Sequence, residues 1–166
     1  DYVGPIPFAS LQGLFDALYP AGLQWYWKAN FVKDLTEKSI EENINHAHQM
    51  PTSQCTMHLY PINGACHQKS SSDTAWGYRD ANWSQVIVGV DKNPAHKEDI
   101  TNWAKGYWNA VHPHSEEGGY VNFMMEEGED KVKASYGKNY QKLSEIKAKS
   151  DSDNFFSVKQ NIKQKN

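Results

Sequence analysis

Three stretches of the chain have the apolar pattern of β-strands. In residues 23–32, LQWYWKANFV, every second side chain shares a face. One face carries Trp25, Trp27, Ala29 and Phe31, and the other carries Gln24, Tyr26, Lys28 and Asn30. Residues 54–60 alternate in the same way, with Cys55, Met57 and Leu59 opposite Thr56, His58 and Tyr60. Residues 83–90, WSQVIVGV, have a more continuous apolar run, which is typical of a central strand.

Apolar residues at helical spacing predict four helices between and after these strands. The first stripe is Phe8, Leu11, Leu14, Phe15 and Leu18. The second helix would start at a capping box with Asp34 as N-cap and Glu37 reaching back, and would turn Ile40, Ile44 and Ala47 inward. The third has the strongest pattern, after Pro94: Ile100, Trp103, Ala104, Tyr107, Trp108 and Val111. One last long helix would carry Val132, Tyr136, Tyr140, Leu143 and Ile146, and an extended tail would follow.

The order of these elements predicts an α+β fold. No glycine-rich loop of the type GxGxxG follows a strand, so a Rossmann arrangement is not indicated. We therefore expect an antiparallel β-sheet with helices packed on one face. The second face of such a sheet would be free for another role.

The segment GGYVNFMMEEGED, residues 118–130, predicts one more strand with a chemical candidate on it. Val121, Phe123 and Met125 would face the helices, whereas Tyr120, Asn122 and Met124 would lie on the free face. A tyrosine hydroxyl can act as a general base when its neighbours lower its pKa from about 10. The alternative is a structural tyrosine with a satisfied hydroxyl.

Composition and charge exclude several other functions. The chain of 166 residues has a formal net charge of -3 and a single arginine, Arg79, which argues against a nucleic-acid partner. No apolar stretch reaches the roughly 18 residues of a membrane span, so we expect a soluble chain without a membrane partner. No signal peptide is recognisable, and the compartment is left open. The histidine pairs lack the spacing of a zinc motif, so no metal site is predicted. Cys55 and Cys66 could pair across a hairpin, but two free buried thiols are favoured.

Three segments together resemble one known family. YVNFM, residues 120–124, is similar to the Tyr-x-Asn-Tyr/Phe strand of the berberine bridge enzyme-like oxidases, which are FAD-linked flavoproteins of the vanillyl-alcohol oxidase superfamily. Residues 136–162, YGKNYQKLSEIKAKSDSDNFFSVKQNI, resemble the C-terminal signature of that family. LYPINGA followed by DTAWGYR resembles the family's Tyr-Pro-Tyr-Gly-Gly turn and the arginine before the next strand.

The resemblance implies an oxidoreductase with a two-part architecture. Residues 1–150 would be part of the substrate domain, and residues 151–166 would be the return segment that joins an FAD-binding domain. Tyr120 matches the tyrosine that takes a proton from a substrate alcohol, sugar or phenol while hydride passes to the flavin. Asn122, Gln160 and Asn161 would lie by the flavin. Arg79 would be structural, bonded to carbonyls and an acid.

Two departures from the family pattern limit what the resemblance implies. The family's FAD-binding domain has no counterpart here, so we expect this chain alone, whether a fragment or a stand-alone domain, not to hold FAD tightly. Ile62-Asn63-Gly64 replaces Tyr-Gly-Gly in the turn, so the small-molecule substrate cannot be carried over. Tyr26, Lys28 and His58 are substrate-pocket candidates from their strand faces alone.

A second function stays open at this point. The aromatic content of 13% is high, so an orphan module without catalysis could bind a planar ligand or a partner on its aromatic sheet face. The same open face could also support a dimer.

Overall fold

In the computed structural model of the chain, residues 3–14, 16–157 and 160–164 are described. The strands are β1, Gln24–Val32, β2, Thr56–Pro61, and β3, Trp83–Asp91. The helices are α1, Phe8–Gly13, α2, Glu37–Ala47, α3, Lys97–Val111, α4, Glu129–Tyr136, and α5, Tyr140–Ser150. No helix in the described ranges is both long and apolar enough to cross a membrane.

The sheet is antiparallel with the order β1-β3-β2, so the continuous apolar strand is central as predicted. In this register Lys28 of β1 lies opposite Ile87 of β3, and Ile87 lies opposite Met57 of β2. The alternating faces predicted for β1 and β2 are confirmed by the two apolar clusters that form on opposite sides of the sheet.

Helix α3 covers one face of the sheet and confirms the α+β prediction. Its stripe packs on Ile87, and the residues that are buried there include Ala104, Tyr107 and Val111. The approach is close at Gly89, where a Cβ would lie 2.5 Å from the backbone oxygen of Ile100. Pro94 lies in a 3-10 turn, Pro94–His96, that leads into α3.

The opposite face of the sheet is aromatic. Val86, Val88 and Val90 of β3 are buried there. Around them pack the half-buried side chains of Tyr19, Leu23, Trp25, Trp27, Tyr60 and Phe123. This set, together with the three valines, is called the aromatic face below.

Helix α2 contradicts its predicted orientation. Its N-cap is Thr36, whose side chain accepts from the backbone N–H of Ser39, and not Asp34. Ile40 and Ile44 are 43% and 52% exposed, and Ala47 is exposed as well. The inward face is polar instead, and the side-chain oxygen of Asn43 accepts hydrogen bonds there from Tyr107 of α3 and Gln85 of β3.

The predicted last helix is divided in two. Gly137 has a φ of 53° and ends α4, and a 3-10 turn, Gly137–Asn139, leads into α5. Asn139 is buried in this turn and donates to the backbone oxygens of Ser71 and Thr74 at 2.7 and 3.1 Å. The break therefore docks the helices onto the loop before β3.

The predicted strand at 118–125 is also wrong. Phe31 of β1 exchanges hydrogen bonds with Glu116 and Gly118, at 2.8 and 3.0 Å, and the pairing stops there. Beyond it the chain makes a 3-10 turn, Val121–Phe123. As a result Phe123 packs on the aromatic face and Met124 is buried, each opposite to its predicted side.

In its described part, the predicted apolar stripe of the first helix does not form a buried face. Phe8, Leu11 and Leu14 of the stripe are exposed. Phe15 and the side chain of Leu18 lie outside what the structure describes. Cys55 and Cys66 are both free, the first buried and the second half-buried.

Candidate functional site

Tyr120 and Asn122 form a hydrogen-bonded pair on the 3-10 turn. The side-chain amide nitrogen of Asn122 donates to the phenol oxygen of Tyr120 at 2.8 Å. Tyr120 is half-buried, and Asn122 is exposed. The sequence predicted this pair side by side, but on a strand. The turn brings the two side chains together because the backbone rises less per residue in a 3-10 turn than in a strand.

Aromatic rings fix the phenol of Tyr120. The ring of Trp76 stacks at 6.0 Å between centroids, and Phe123 meets the phenol edge to face at 5.0 Å. A cavity of about 210 Å³ opens beside them. Its lining consists of Ala75, Trp76, Gly119, Tyr120, Val121, Ser135 and Tyr136. Tyr120 is therefore a held, half-buried phenol at the wall of a mostly apolar cavity.

The loop that carries the pair, residues 117–127, is called the Tyr120 loop below. Gly119 lies so close to β1 that a Cβ would be 2.7 Å from the backbone oxygen of Ala29. Its N–H donates to the hydroxyl of Ser135 at 3.3 Å. That hydroxyl also contacts the sulfur of Met124 at 3.4 Å. The loop is thus fastened to both β1 and α4.

The C-terminal tail reaches this loop through Gln160. The side-chain amide of Gln160 donates to the backbone oxygens of Met124 and Met125, at 2.9 and 3.2 Å. The next residue, Asn161, has a buried side-chain oxygen without a hydrogen-bond partner among the described residues. Gln160 therefore holds the loop, and Asn161 presents an unused acceptor.

The three pocket candidates from strand faces do not share one site. Tyr26 and Lys28 lie on the α3 side, where the ammonium of Lys105 stands 5.5 Å from the ring of Tyr26. His58 lies on the opposite side and meets the hydroxyl of Tyr19 at 3.2 Å. Burial raises the pKa of Tyr26 and lowers the pKa of His58, which favours neutral side chains at both positions.

Arg79 has mainly structural contacts. Its guanidinium donates to the backbone oxygen of Cys66 at 3.1 Å and to the hydroxyl of Thr74. It also stands over the ring of Trp76 at 5.5 Å. The predicted carbonyl bond is present, and the hydroxyl of Thr74 stands in place of the predicted acid.

Two residues of the site were not singled out from the sequence. Trp76 stacks on Tyr120, although the sequence placed it only in a loop motif. Glu127 pairs with Lys28, with the carboxylate side chain 8% exposed. An acidic run such as EEGED gives no signal that one of its carboxylates is buried. The described residues contain no group of three or more His, Cys, Asp or Glu side chains that could hold a metal ion.

Comparison with known proteins relates the chain to flavoproteins. Residues 119–163 match the family model described as "Berberine and berberine like". An FAD-linked oxidoreductase of Dictyostelium discoideum is 27% identical over 163 residues, which is 97% of this chain and 35% of that protein. The chain therefore spans about a third of the length of the curated relatives it matches.

Solved structures share the fold. Wild-type BBE-like 1 of Physcomitrella patens superposes with a TM-score of 0.75 at 23% identity, over 86% of this chain and 31% of that one. A carbohydrate oxidase from Microdochium nivale superposes with a TM-score of 0.70 at 20% identity, over 86% of this chain and 33% of that one.

Proposed function

Since this chain is related to the berberine bridge enzyme-like FAD-linked oxidoreductases and carries their berberine and berberine-like segment, we propose that it forms the substrate-binding part of such an oxidoreductase. Residues 1–150 would bind the substrate, and residues 151–166 would return to an FAD-binding domain. The protein would oxidise a hydroxyl group of an alcohol, a sugar or a phenol.

The observation that carries this proposal is the Tyr120–Asn122 pair at the wall of a cavity. A base must reach the proton it removes and must be held in one orientation. Trp76 and Phe123 hold the phenol of Tyr120. The amide of Asn122 already donates to the phenol oxygen, at 2.8 Å. In the proposed reaction Tyr120 acts as its phenolate and takes the hydroxyl proton. Before that transfer the amide of Asn122 donates to the phenolate oxygen and stabilises its negative charge.

Polar side chains of the Tyr120 loop and of the tail are compatible with a bound flavin. Asn161 has a buried, unpartnered oxygen among the described residues that a ring N–H could satisfy, because a buried polar atom without a partner is costly. Asn122 is exposed beside the base. Gln160 uses its amide hydrogens on the loop, so it would support the site indirectly. When bound, FAD would supply the acceptor for the two electrons of the oxidation.

The test is the visible absorption spectrum and turnover of the protein expressed from its whole reading frame. We expect a flavin spectrum and oxygen consumption with at least one member of a panel of sugars, primary alcohols and phenols. Riboflavin added to the medium and FAD added to the lysate control for loss of cofactor during purification. A protein that stays colourless and inactive under all of these conditions contradicts the proposal.

A second candidate function is suggested by the aromatic face. Trp25 and Trp27 lie 6.0 Å apart and both contact Tyr19, at 5.3 and 5.6 Å between centroids. Such a surface suits a planar ligand or a partner without any catalysis. Titration of this chain with aromatic ligands and sugars, followed by tryptophan fluorescence, would distinguish it. Saturable quenching that Trp27→Leu abolishes supports this candidate, and an unchanged spectrum opposes it.

A dimer through the same face stays a prediction. Phe123 already packs against Trp27, at 6.5 Å between centroids, so part of the face is covered within the chain. Sedimentation at rising concentration would show whether the remainder joins two copies.

A further inference from the structure

The Tyr120 loop is fastened at both ends by a lysine ammonium. At its N-terminal end, Lys131 of α4 donates to the backbone oxygen of Glu117 at 2.6 Å. At its C-terminal end, Lys28 of β1 donates to the carboxylate of Glu127. Glu117 and Glu127 bracket Tyr120 and Asn122 along the chain. The two contacts therefore anchor the first and the last residue of the loop.

Both ammonium groups stand on the same tryptophan. The nitrogen of Lys28 lies 4.4 Å from the ring centroid of Trp108, and that of Lys131 lies 4.7 Å from it. Trp108 itself is fixed, because its ring N–H donates to the backbone oxygen of Ala29 at 3.2 Å and His112 stacks on it at 4.0 Å. Cation–π contacts of this kind strengthen as water is excluded.

The buried carboxylate of Glu127 lies close enough to both Lys28 and Lys131 to offset their positive charges. The side chains of Lys28 and Glu127 are 13% and 8% exposed. The second carboxylate oxygen of Glu127 is buried and has no hydrogen-bond partner in the described part of the chain. Burial lowers the pKa of Lys131, and the charge of Lys28 lowers it further, whereas Glu127 and Glu117 act in the opposite direction. Loss of the Glu127 charge would leave two ammonium groups repelling each other over one ring.

We propose that Glu127 and Lys28 are positioning residues: their buried pair, seated on Trp108, holds the Tyr120 loop in the shape that brings the amide of Asn122 to the phenol of Tyr120. The pair acts through the loop and touches neither partner directly. Its relevance to an oxidation rests on the proposed function, but the coupling between the two pairs is a property of this chain alone.

A purely structural role gives a different expectation. If the Lys28–Glu127 pair only stabilised the edge of the sheet, its removal would lower stability and leave the Asn122–Tyr120 hydrogen bond intact in the folded molecules. A readout at Asn122 therefore separates positioning from stability.

The experiment uses the ¹⁵N-labelled chain of 166 residues. The side-chain amide signal of Asn122 is assigned by its loss in Asn122→Asp, and Tyr120→Phe gives its position when the hydrogen bond is absent. We expect Glu127→Gln and Lys28→Met to move the signal to the Tyr120→Phe position. The backbone amides of Gly119 and Phe123, which donate to the hydroxyl of Ser135 and to the backbone oxygen of Tyr120, should exchange with deuterium roughly tenfold faster or more.

The chain offers a matched control and a rescue. Glu126→Gln removes the neighbouring carboxylate, which is exposed, and should leave the signal and the exchange rates unchanged. Lys28→Arg keeps a cation over Trp108 and should retain most of the wild-type shift. If Glu127→Gln fails to fold, the position of the Asn122 signal in Lys28→Met and in Lys28→Arg tests the proposal instead.

A wild-type Asn122 signal in Lys28→Met and in folded Glu127→Gln would overturn the proposal, even if both variants unfold more easily. None of these readouts uses flavin or turnover. A failure of the proposed oxidation would therefore leave this result standing, and a failure here would not bear on the oxidation.

Discussion

The hydroxyl of Tyr107 on α3 donates to the side-chain oxygen of Asn43 on α2 at 2.7 Å. The side-chain amide of Gln85 on β3 donates to the same oxygen at 2.6 Å. Tyr107 and Gln85 are both fully buried, so Asn43 is the acceptor that joins α2 to the helix and the strand beneath it. Burial raises the pKa of Tyr107, so its hydroxyl stays protonated and keeps donating across the accessible pH range.

Replacement of Asn43 should therefore destabilise the fold more than replacement of the larger residue beside it. Asn43→Ala leaves the buried amide of Gln85 without its acceptor and leaves the hydroxyl of Tyr107 only the backbone oxygen of residue 43, at 3.2 Å, which should cost about 1–3 kcal/mol. Ile44→Ala removes an exposed side chain and should change the free energy of unfolding by no more than about 0.5 kcal/mol. Urea denaturation of both variants at neutral pH makes the comparison. A larger loss for Ile44→Ala would show that the isoleucine face of α2 is covered in solution.

Tyr120→Phe should abolish most of the proposed turnover while the fold persists. A general base contributes about a hundredfold or more, so kcat should fall by at least that factor. Tyr140→Phe controls for indirect effects through the tail, because Tyr140 lines a different cavity and its hydroxyl accepts from the backbone N–H of Lys163 at 3.2 Å; its kcat should fall much less than that of Tyr120→Phe. The measurement is steady-state oxidation by the protein from the whole reading frame, with circular dichroism to verify folding. Turnover at the wild-type rate in Tyr120→Phe would exclude Tyr120 as the base.

Glu129 should give the chain part of its acid sensitivity. Lys133 at 2.7 Å and Lys163 at 2.5 Å lower the pKa of Glu129 from 4.5 to about 2. Because the folded-state value is the lower one, the stabilisation is complete above pH 4.5 and disappears as the pH falls to about 2. Wild-type protein should therefore lose more thermal stability than Glu129→Gln between these two pH values. The effect should weaken in salt, since the group is solvent-accessible.

The control for this titration is Glu126→Gln, which removes an exposed carboxylate that lies on the Tyr120 loop and makes no ion pair among the described residues. Asp91 and Asp151 also have lowered pKa values, from a backbone N–H of Asn93 and from Lys147 respectively, so both variants keep a common acid transition. Identical profiles for Glu129→Gln and wild type would show that neither Lys133 nor Lys163 stabilises the Glu129 carboxylate in solution.

Two glycines should respond to alanine with opposite signs. In Gly89→Ala the new Cβ would lie 2.5 Å from the backbone oxygen of Ile100, so α3 would be forced off the sheet. Gly106 is exposed within α3, and a Cβ added there would meet nothing within 4 Å. Gly106→Ala should therefore stabilise the protein by about 0.5–1 kcal/mol through helix propensity. Thermal unfolding of the two variants tests this, and a stable Gly89→Ala would contradict the close contact of α3.

The strands and helix α3 could be predicted from the sequence because one simple period decides on which side each side chain lies. In β1, Trp25 and Trp27 pack on one side of the sheet and Tyr26 packs on the other. In α3, the stripe of Ile100, Ala104 and Tyr107 is buried. The helical period does not predict the orientation of α2, because the side of α2 that faces the core carries Asn43. The sequence does not show that Tyr107 and Gln85 donate to this asparagine, so it predicts that the isoleucines face inward.

The candidate site was predictable only in part for a similar reason. Spacing placed Tyr120 and Asn122 together, and the hydrogen bond between them agrees with that. It could not show that Gly118 and Gly119 end the pairing with β1 and turn the chain, since this depends on the contact of Gly119 with Ala29. The spacing also could not show that Lys28 forms an ion pair with Glu127, which lies 99 residues further along the chain.

The attachment of the tail to the Tyr120 loop also constrains how such chains can change over generations. Gln160 binds the backbone of Met124 and Met125, and Lys163 is held by Glu129, Tyr140 and Ser144. A deletion in the loop would displace the acceptors of the tail, and a replaced tail would release the loop. Descendants of this sequence are therefore expected to inherit the two segments as one block, with recombination tolerated on either side of it and selected against within it.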